Sequence, residues 1–385
     1  MATLQLLLLA SSFITISLAT PLILPITKDS QTLQYLTHIH QGTTRTLTKK
    51  LVIDLGGSSL WMDCKTEHSS TSYTHSPFHS LQCLTANANK HGSSFTTLDS
   101  CSLVAKNSIT GKTMDTELGE DTIIIQSIAA VENFLFSCAP SLLLQGLPKG
   151  AKGMVGLGRN RISLPSQLTG ALGFDRKFSV CLPSSNSDGA IIFNSDSLEE
   201  ISKSLIYTPL IKTQSHEYYI GVKAIKINGK SLQFDSPTKE AKLSTVVPYT
   251  TLETSIYNTV TKAFIEEATM TRVEAIAPFE FCFGSEDVSK TRFGPVVPVI
   301  DLVLQSNMVK WRIYGANSMV QVSDEVMCLG LLDGGLNVEN DIVVGGYQLE
   351  NNLVEFDLAG SRMGFTSLLG RETECSSLSF GREVL

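Results

Sequence analysis

The sequence predicts a mostly β protein built as two related lobes. Three observations carry that expectation. Short apolar runs are split throughout by clusters of Gly, Ser, Asn and Asp, which is the texture of strands and turns. The chain has 385 residues, more than one ordinary core holds and enough for about two. A pattern also occurs twice. Asp54-Leu55-Gly56-Gly57 is followed later by Gly153-Met154-Val155-Gly156-Leu157-Gly158, and Ser244-Thr245-Val246-Val247 by Ile342-Val343-Val344-Gly345-Gly346. Each is a turn followed, much further on, by two apolar residues and a glycine.

In chain order, Thr122-Ile123-Ile124-Ile125 reads as a strand. Ser163 to Leu172 reads as a short helix. Tyr218 to Val222 and Ile225 to Lys230 read as strands and hairpins, with Asn228-Gly229 as a type I′ turn because both central residues of that turn need positive φ. Ser255 to Met270 reads as a longer helix, with Ile256, Val260, Phe264 and Ile265 on one stripe and Thr254 or Ser255 as cap. Ser, Asp, Glu and Lys are frequent near residues 200–215 and place the lobe boundary there, giving lobes of residues 20–205 and 206–385.

Residues 1–19 have the apolar run Leu4 to Ala10 and small residues around Ser17-Leu18-Ala19, the layout of a secretory signal peptide cleaved after Ala19, although no Lys or Arg precedes the run. No later segment approaches the ~20 apolar residues of a membrane span. Hydrophobic residues at 42% and charged residues at 17% describe a globular chain. A net charge of −7, with no dense basic patch, argues against nucleic acid as partner. The eight cysteines, Cys64, Cys83, Cys101, Cys138, Cys181, Cys282, Cys328 and Cys375, fit an oxidising compartment. No Cys-x-x-Cys occurs and the seven histidines show no ligand spacing, so no metal or cofactor is expected. The chain has no N-glycosylation sequon.

Val52-Ile53-Asp54-Leu55-Gly56-Gly57-Ser58-Ser59-Leu60-Trp61 resembles the active strand and turn of a pepsin-like aspartic protease. Such enzymes need two carboxylates sharing one proton, one acting as base and one as acid on the attacking water. The segment of matching shape in the second half is Lys242-Leu243-Ser244-Thr245-Val246-Val247-Pro248-Tyr249-Thr250, and Ser244 stands where the second acid belongs. A hydroxyl does not titrate near neutral pH, so the resemblance implies a remnant site of Asp54 and Ser244 without catalysis. Alone, Asp54 could hold a water or a cation, but its more ordinary role is as acceptor for nearby backbone N–H groups. Leu55 stands for the Thr that locks the two turns together in the family, and Gly57 for the Ser that hydrogen-bonds the carboxylate. Asn107 to Asp121, where the flap hairpin belongs, contains no Tyr.

Further motifs narrow the resemblance. Phe134-Leu135-Phe136-Ser137-Cys138-Ala139-Pro140, Gly158 through Gln167, Tyr249 through Tyr257, Trp311 through Val320 and Val354-Glu355-Phe356-Asp357-Leu358 are similar, in order, to one plant group. It comprises extracellular dermal glycoproteins, basic 7S globulins, nectar relatives, and xylanase or glucanase inhibitors. The resemblance spans about Ile26 to about Phe380 and implies a bilobal pepsin-like fold, a secreted apoplastic location and no peptidase activity. It also implies a microbial glycoside hydrolase as partner. The chain departs from the group in having fewer cysteines, and in shorter stretches between Cys64 and Cys101 and between Asp235 and Lys242.

Eight cysteines alone allow 105 pairings. The resemblance selects Cys64 with Cys138, Cys83 with Cys101, Cys181 with Cys375 and Cys282 with Cys328. It also points to Arg371 and Arg292 as inhibitor contacts. A retaining glycosidase presents two carboxylates roughly 5 Å apart, and a guanidinium engages carboxylate bidentately. Arg371 lies just before Cys375 and Arg292 lies in the turn-rich Ser289 to Pro295. Xylanase-inhibiting relatives tend to use a His in the tail. This chain has none after His216, which favours a xyloglucan-type endoglucanase over a xylanase. The other readings are a storage or signalling globulin binding a peptide and, least favoured, a weak protease.

Overall fold

A computed structural model describes residues 21–43, 46–64, 70–88, 100–126, 129–184, 187–194, 199–234, 238–286, 288–371 and 373–379. The expected signal peptide lies outside them. The twice-occurring pattern becomes the centre of the molecule. Strand Leu47–Asp54 pairs in parallel with Gly153–Gly156, placing Asp54 opposite Gly156. Strand Lys239–Leu243 pairs in parallel with Ile342–Val344, placing Leu243 opposite Val344. The glycines are required because backbones touch there. A Cβ on Gly156 would lie 2.5 Å from the carbonyl oxygens of Gly57 and Ser59, and one on Gly345 would lie 2.4 Å from the carbonyl carbon of Tyr249.

Each central pair is wrapped by antiparallel strands from its own half of the chain. Tyr35–Gln41 lies along Leu47–Asp54, and the long hairpin of Thr113–Ile125 and Ala129–Ala139 extends that lobe. Tyr219–Val222 lies along Lys239–Leu243 in the other. The two halves share one antiparallel sheet. Its strand order is Leu22–Lys28, Gly189–Phe193, Lys177–Cys181, Asn352–Asp357, Arg362–Ser367 and Ile206–Ile211. At the seam Phe178 stacks on Phe356 with ring centroids 5.1 Å apart, and Tyr218 packs on Phe356 at 4.4 Å. A buried polar cluster also crosses the halves: Glu350 accepts from Lys28 Nζ at 2.5 Å and from the Tyr35 hydroxyl at 2.7 Å. Burial pushes the Glu350 carboxyl up, against the pull of Lys28.

The helix Leu164–Leu172 starts after Ser163 and ends at Gly173, whose φ of 69° suits a glycine stop. The helix Thr254–Glu267 buries Ile256, Tyr257, Val260, Thr261 and Phe264. Its cap differs from the expected Thr254 or Ser255. The longer Glu253 carboxylate reaches the first-turn N–H groups, accepting from Ser255 at 2.9 Å and from Ile256 at 3.4 Å. The helix stops at Glu267 rather than Met270, because Ala268 is already extended. Asn228 and Gly229 have φ of 47° and 83°, as a type I′ turn between Ala224–Ile227 and Lys230–Ser231 requires.

All four disulfides suggested by the resemblance are formed: Cys64–Cys138, Cys83–Cys101, Cys181–Cys375 and Cys282–Cys328. The third ties the shared sheet to the closing helix Cys375–Ser379. Among the described residues no helix is long and apolar enough to cross a membrane.

Candidate functional site

The two central strands end in facing turns. Asp54 closes the first and is only 5% exposed. Its Oδ1 accepts from the Gly56 N–H at 3.1 Å and its Oδ2 from the Ser108 hydroxyl at 2.5 Å. Ser244 occupies the matching place in the second turn. Its Oγ accepts from the N–H groups of Val246 and Val247 at 3.3 and 3.2 Å. Each side chain therefore satisfies its own turn, the ordinary structural role of a polar residue there.

Thr245 fastens one turn to the other. Its hydroxyl accepts from the Leu55 N–H at 3.0 Å and donates to the Ile53 carbonyl at 2.7 Å, and Thr245 is buried. No reciprocal bond exists, because Leu55 has no hydroxyl. The Leu55 side chain instead lines a small apolar cavity with Val180, Leu182, Leu349 and Phe356.

A hairpin closes over the first turn. Its arms are Ser102–Lys106 and the start of Thr113–Ile125, so it begins five residues before the expected Asn107. It has no Tyr, but it is not without polar contacts. Its tip carries Ser108, which takes the hydrogen-bonding place beside the carboxylate that Gly57 leaves vacant. A Cβ on Gly57 would sit 3.0 Å from Asp54 Oδ2. The tip is clamped from two sides. Asn107, fully buried, donates to the carbonyls of Leu143 and Gln145 at 2.9 Å each. Trp61 Nε1 donates to the Lys106 carbonyl at 3.0 Å.

Glu217 guards the other side of the turn. Its Cγ would meet a Cβ on Gly56 at 2.9 Å. Its carboxylate is engaged by Lys242 Nζ and by the Tyr219 hydroxyl, the latter at 2.9 Å. Burial works against its charge, but these bonds outweigh burial and hold Glu217 below the usual carboxylate range. Asp54 moves the other way. Burial raises its pKa, Ser108 and the Gly56 N–H oppose the rise, and the Glu217 charge adds to it. The site is thus one buried carboxyl hydrogen-bonded to its own fold, with no second carboxyl among the described residues hydrogen-bonded to it.

The raised pKa has a stability consequence. The folded state binds the Asp54 proton more tightly than the unfolded chain, so ionising Asp54 costs folding free energy as pH climbs from the unfolded value near 3.8. Asp54→Asn keeps the shape: its Oδ1 still accepts from the Gly56 N–H, while its Nδ2 donates to the Ser108 oxygen, reversing that bond. The variant is expected to melt higher than wild type at neutral pH, with the advantage vanishing in acid where wild type is protonated. Thermal melts across pH check this; equal melting at neutral pH would contradict the assignment.

Arg371 and Arg292 lie elsewhere, and the fold brings them together. Both are exposed. Arg371 follows the last strand of the shared sheet, and its Nε and Nη2 donate to Ser367 O at 3.0 Å and Thr366 Oγ1 at 3.1 Å. Arg292 sits at the tip of the hairpin Lys290–Thr291 and Gly294–Pro295. Its stem lies on Gly370, the residue before Arg371, where a Cβ would come 2.7 Å from Arg292 Cδ. Sequence reasoning missed this adjacency, and also Ser108, Glu217 and Lys242 around Asp54. Asn107 through Gly111 signals a turn, but nothing in the sequence says which carboxylate that turn meets. Among the described residues no cluster of three or more His, Cys, Asp or Glu could hold a metal.

The comparisons fit this geometry. The family description "Xylanase inhibitor N-terminal" matches residues 35–195, and "Xylanase inhibitor C-terminal" matches residues 217–367. A relative from Nicotiana benthamiana, "Probable aspartic proteinase GIP2", is 45% identical over 93% of this chain and 92% of its own length. The chain belongs to the xylanase-inhibitor family. This membership accounts for the bilobal pepsin-like fold. The solved structure titled "Crystal structure of edgp" shares it at a TM-score of 0.84 and 42% identity, covering 93% of this chain and 97% of that one. Basic 7S globulin from soybean does so at 0.83 and 35% identity, covering 93% and 98%.

Proposed function

We propose that this protein is a secreted inhibitor of microbial cell-wall-degrading glycoside hydrolases, with a xyloglucan-specific endoglucanase favoured over a xylanase as target. The observation that carries the reading is that the stem of exposed Arg292 lies on Gly370, the residue before exposed Arg371, although the two loops are far apart in sequence. Two arginines on neighbouring loops suit the two carboxylates of a retaining cleft, which lie roughly 5 Å apart. In this reading residues 1–19 are removed after Ala19, residues 20–205 and 206–385 form the lobes, and the protein acts in the apoplast and cell wall. The test is an inhibition assay of the purified protein against a retaining xyloglucan-specific endoglucanase and a xylanase. Inhibition of the first supports the reading; inhibition of neither overturns it.

In the same reading Ser244 replaces the second catalytic aspartate. No cleavage of casein or haemoglobin is expected from acid to neutral pH. Ser244→Asp alone is expected to stay inactive, because Leu55, Gly57 and the clamped hairpin remain. Pepstatin-sensitive proteolysis by either protein would contradict this. The likeness to a basic 7S globulin favours a second reading, a storage or signalling globulin that binds a peptide. The Ser108 contact to Asp54 counts against a peptide lying between the two turns.

A further inference from the structure

We propose that Gly370 and Phe293 are positioning residues that hold Arg292 beside Arg371, so that two loops act as one cationic head. This rests on the hydrolase-inhibitor reading and specifies how that surface is set.

Gly370 acts by what it lacks. A Cβ there would fall 2.7, 2.8 and 3.0 Å from Cδ, Nε and Cγ of Arg292. Only a bare Cα lets the Arg292 stem lie flat on the loop that carries Arg371. The φ of Gly370 is 74°, a conformation that glycine adopts without strain. Phe293 works from the other side. The Arg292 guanidinium lies 5.1 Å from its ring centroid, within cation–π range. That ring is itself held, stacked on Tyr314 with centroids 4.7 Å apart and planes at 27°.

The hairpin bearing Arg292 has little freedom of its own. The Ala316 N–H donates to the Phe293 carbonyl at 3.0 Å. A Cβ on Gly294 would strike Ala316 N at 2.2 Å, and one on Gly315 would strike Pro295 O at 2.0 Å. Backbone therefore meets backbone on both sides of the turn. The Arg371 loop is anchored in turn by its bonds to Thr366 and Ser367 and by the Cys181–Cys375 bridge four residues on. Side chains fixed before the encounter lose less freedom on binding, which strengthens association without adding a contact.

The experiment compares Gly370→Ala, Phe293→Leu, Arg292→Ala and the double variant Gly370→Ala with Arg292→Ala. Gly229→Ala serves as control. Gly229 also has positive φ, 83°, but open space around it, so it reproduces the backbone strain without displacing an arginine. The readouts are the inhibition constant against a xyloglucan-specific endoglucanase, a thermal melt, and the NMR shift of the Arg292 Nε–H in the free protein. Gly370→Ala is expected to weaken inhibition about tenfold or more, approaching Arg292→Ala, because a fixed cation at a desolvated carboxylate has that leverage. The double variant should be no weaker than Arg292→Ala alone, and Gly229→Ala should inhibit like wild type. Phe293→Leu should remove the ring-current shift of Arg292 and weaken inhibition. Wild-type inhibition by Gly370→Ala and Phe293→Leu, or additive losses in the double variant, would overturn the proposal. If the wild-type protein inhibits no hydrolase, the inhibitor reading falls, while an Arg292 shift insensitive to Phe293→Leu separately overturns the positioning.

Discussion

Arg371→Ala is expected to weaken inhibition of a sensitive endoglucanase by about 30-fold to several thousand-fold, the equivalent of 2–5 kcal/mol for truncating one member of a buried charge pair. Much of that loss is the penalty left on the partner's carboxylates, buried at the interface with no cation against them. In the free protein the same side chain is exposed and donates to Thr366 and Ser367 at the end of the preceding strand. Its removal should therefore change folding stability by no more than about 0.5 kcal/mol. The contrast between a large binding effect and a small melting effect is the signature. Arg292→Ala should act in the same direction, and its loss should not add to that of Arg371→Ala if both meet one carboxylate pair, since the Arg292 stem lies on Gly370, the residue before Arg371. Arg371→Glu should abolish binding by repulsion. Inhibition constants and melts for the set check the prediction; unchanged inhibition in both alanine variants would show that another loop enters the cleft.

Thr245→Val should destabilise the fold by about 2–4 kcal/mol with little effect on inhibition. Valine matches threonine in shape, so packing is kept and only the hydroxyl is lost. That hydroxyl is the Leu55 N–H acceptor and a donor to the Ile53 carbonyl, both in the interior. A buried polar group left without its partner costs about 1–3 kcal/mol. Pepsin-like turns with a threonine on each side would share the load; here Leu55 contributes none. Thr245→Ser keeps the hydroxyl and should recover most of the loss. Denaturant unfolding of the two variants checks this, and equal stability for valine and serine would show that the turns are held by packing alone.

How far the sequence could be read depended on the range of the interaction. The Asn228-Gly229 turn and the helix from Leu164 were legible because they depend on residues beside one another. The repeat of a turn and a later apolar-apolar-Gly run was legible in the sequence, and the fold makes each a strand pair in which the glycine's bare backbone is needed. The disulfide set was legible only through the family resemblance, since spacing alone cannot choose among the pairings. The helix cap was misassigned because Glu253 lies one residue outside the hydroxyl pair that sequence rules favour, yet has the reach to serve. Ser108 on Asp54 and Arg292 on Gly370 were not legible at all. Each joins residues that approach only after two separate hairpins and a shared sheet have formed.

The shared sheet also sets the order in which the protein can finish folding on the ribosome. Strand Lys177–Cys181 is paired on one side by Gly189–Phe193, which follows it at once. Its other neighbour, Asn352–Asp357, leaves the ribosome only after the whole second half has been made. At about 5–20 residues per second, that partner arrives on the order of ten to thirty seconds later. Through that interval the nascent first half carries an open strand edge, the kind of surface that pairs with a neighbouring chain. The protein's passage through its folding compartment therefore depends on keeping that edge covered until translation is almost complete.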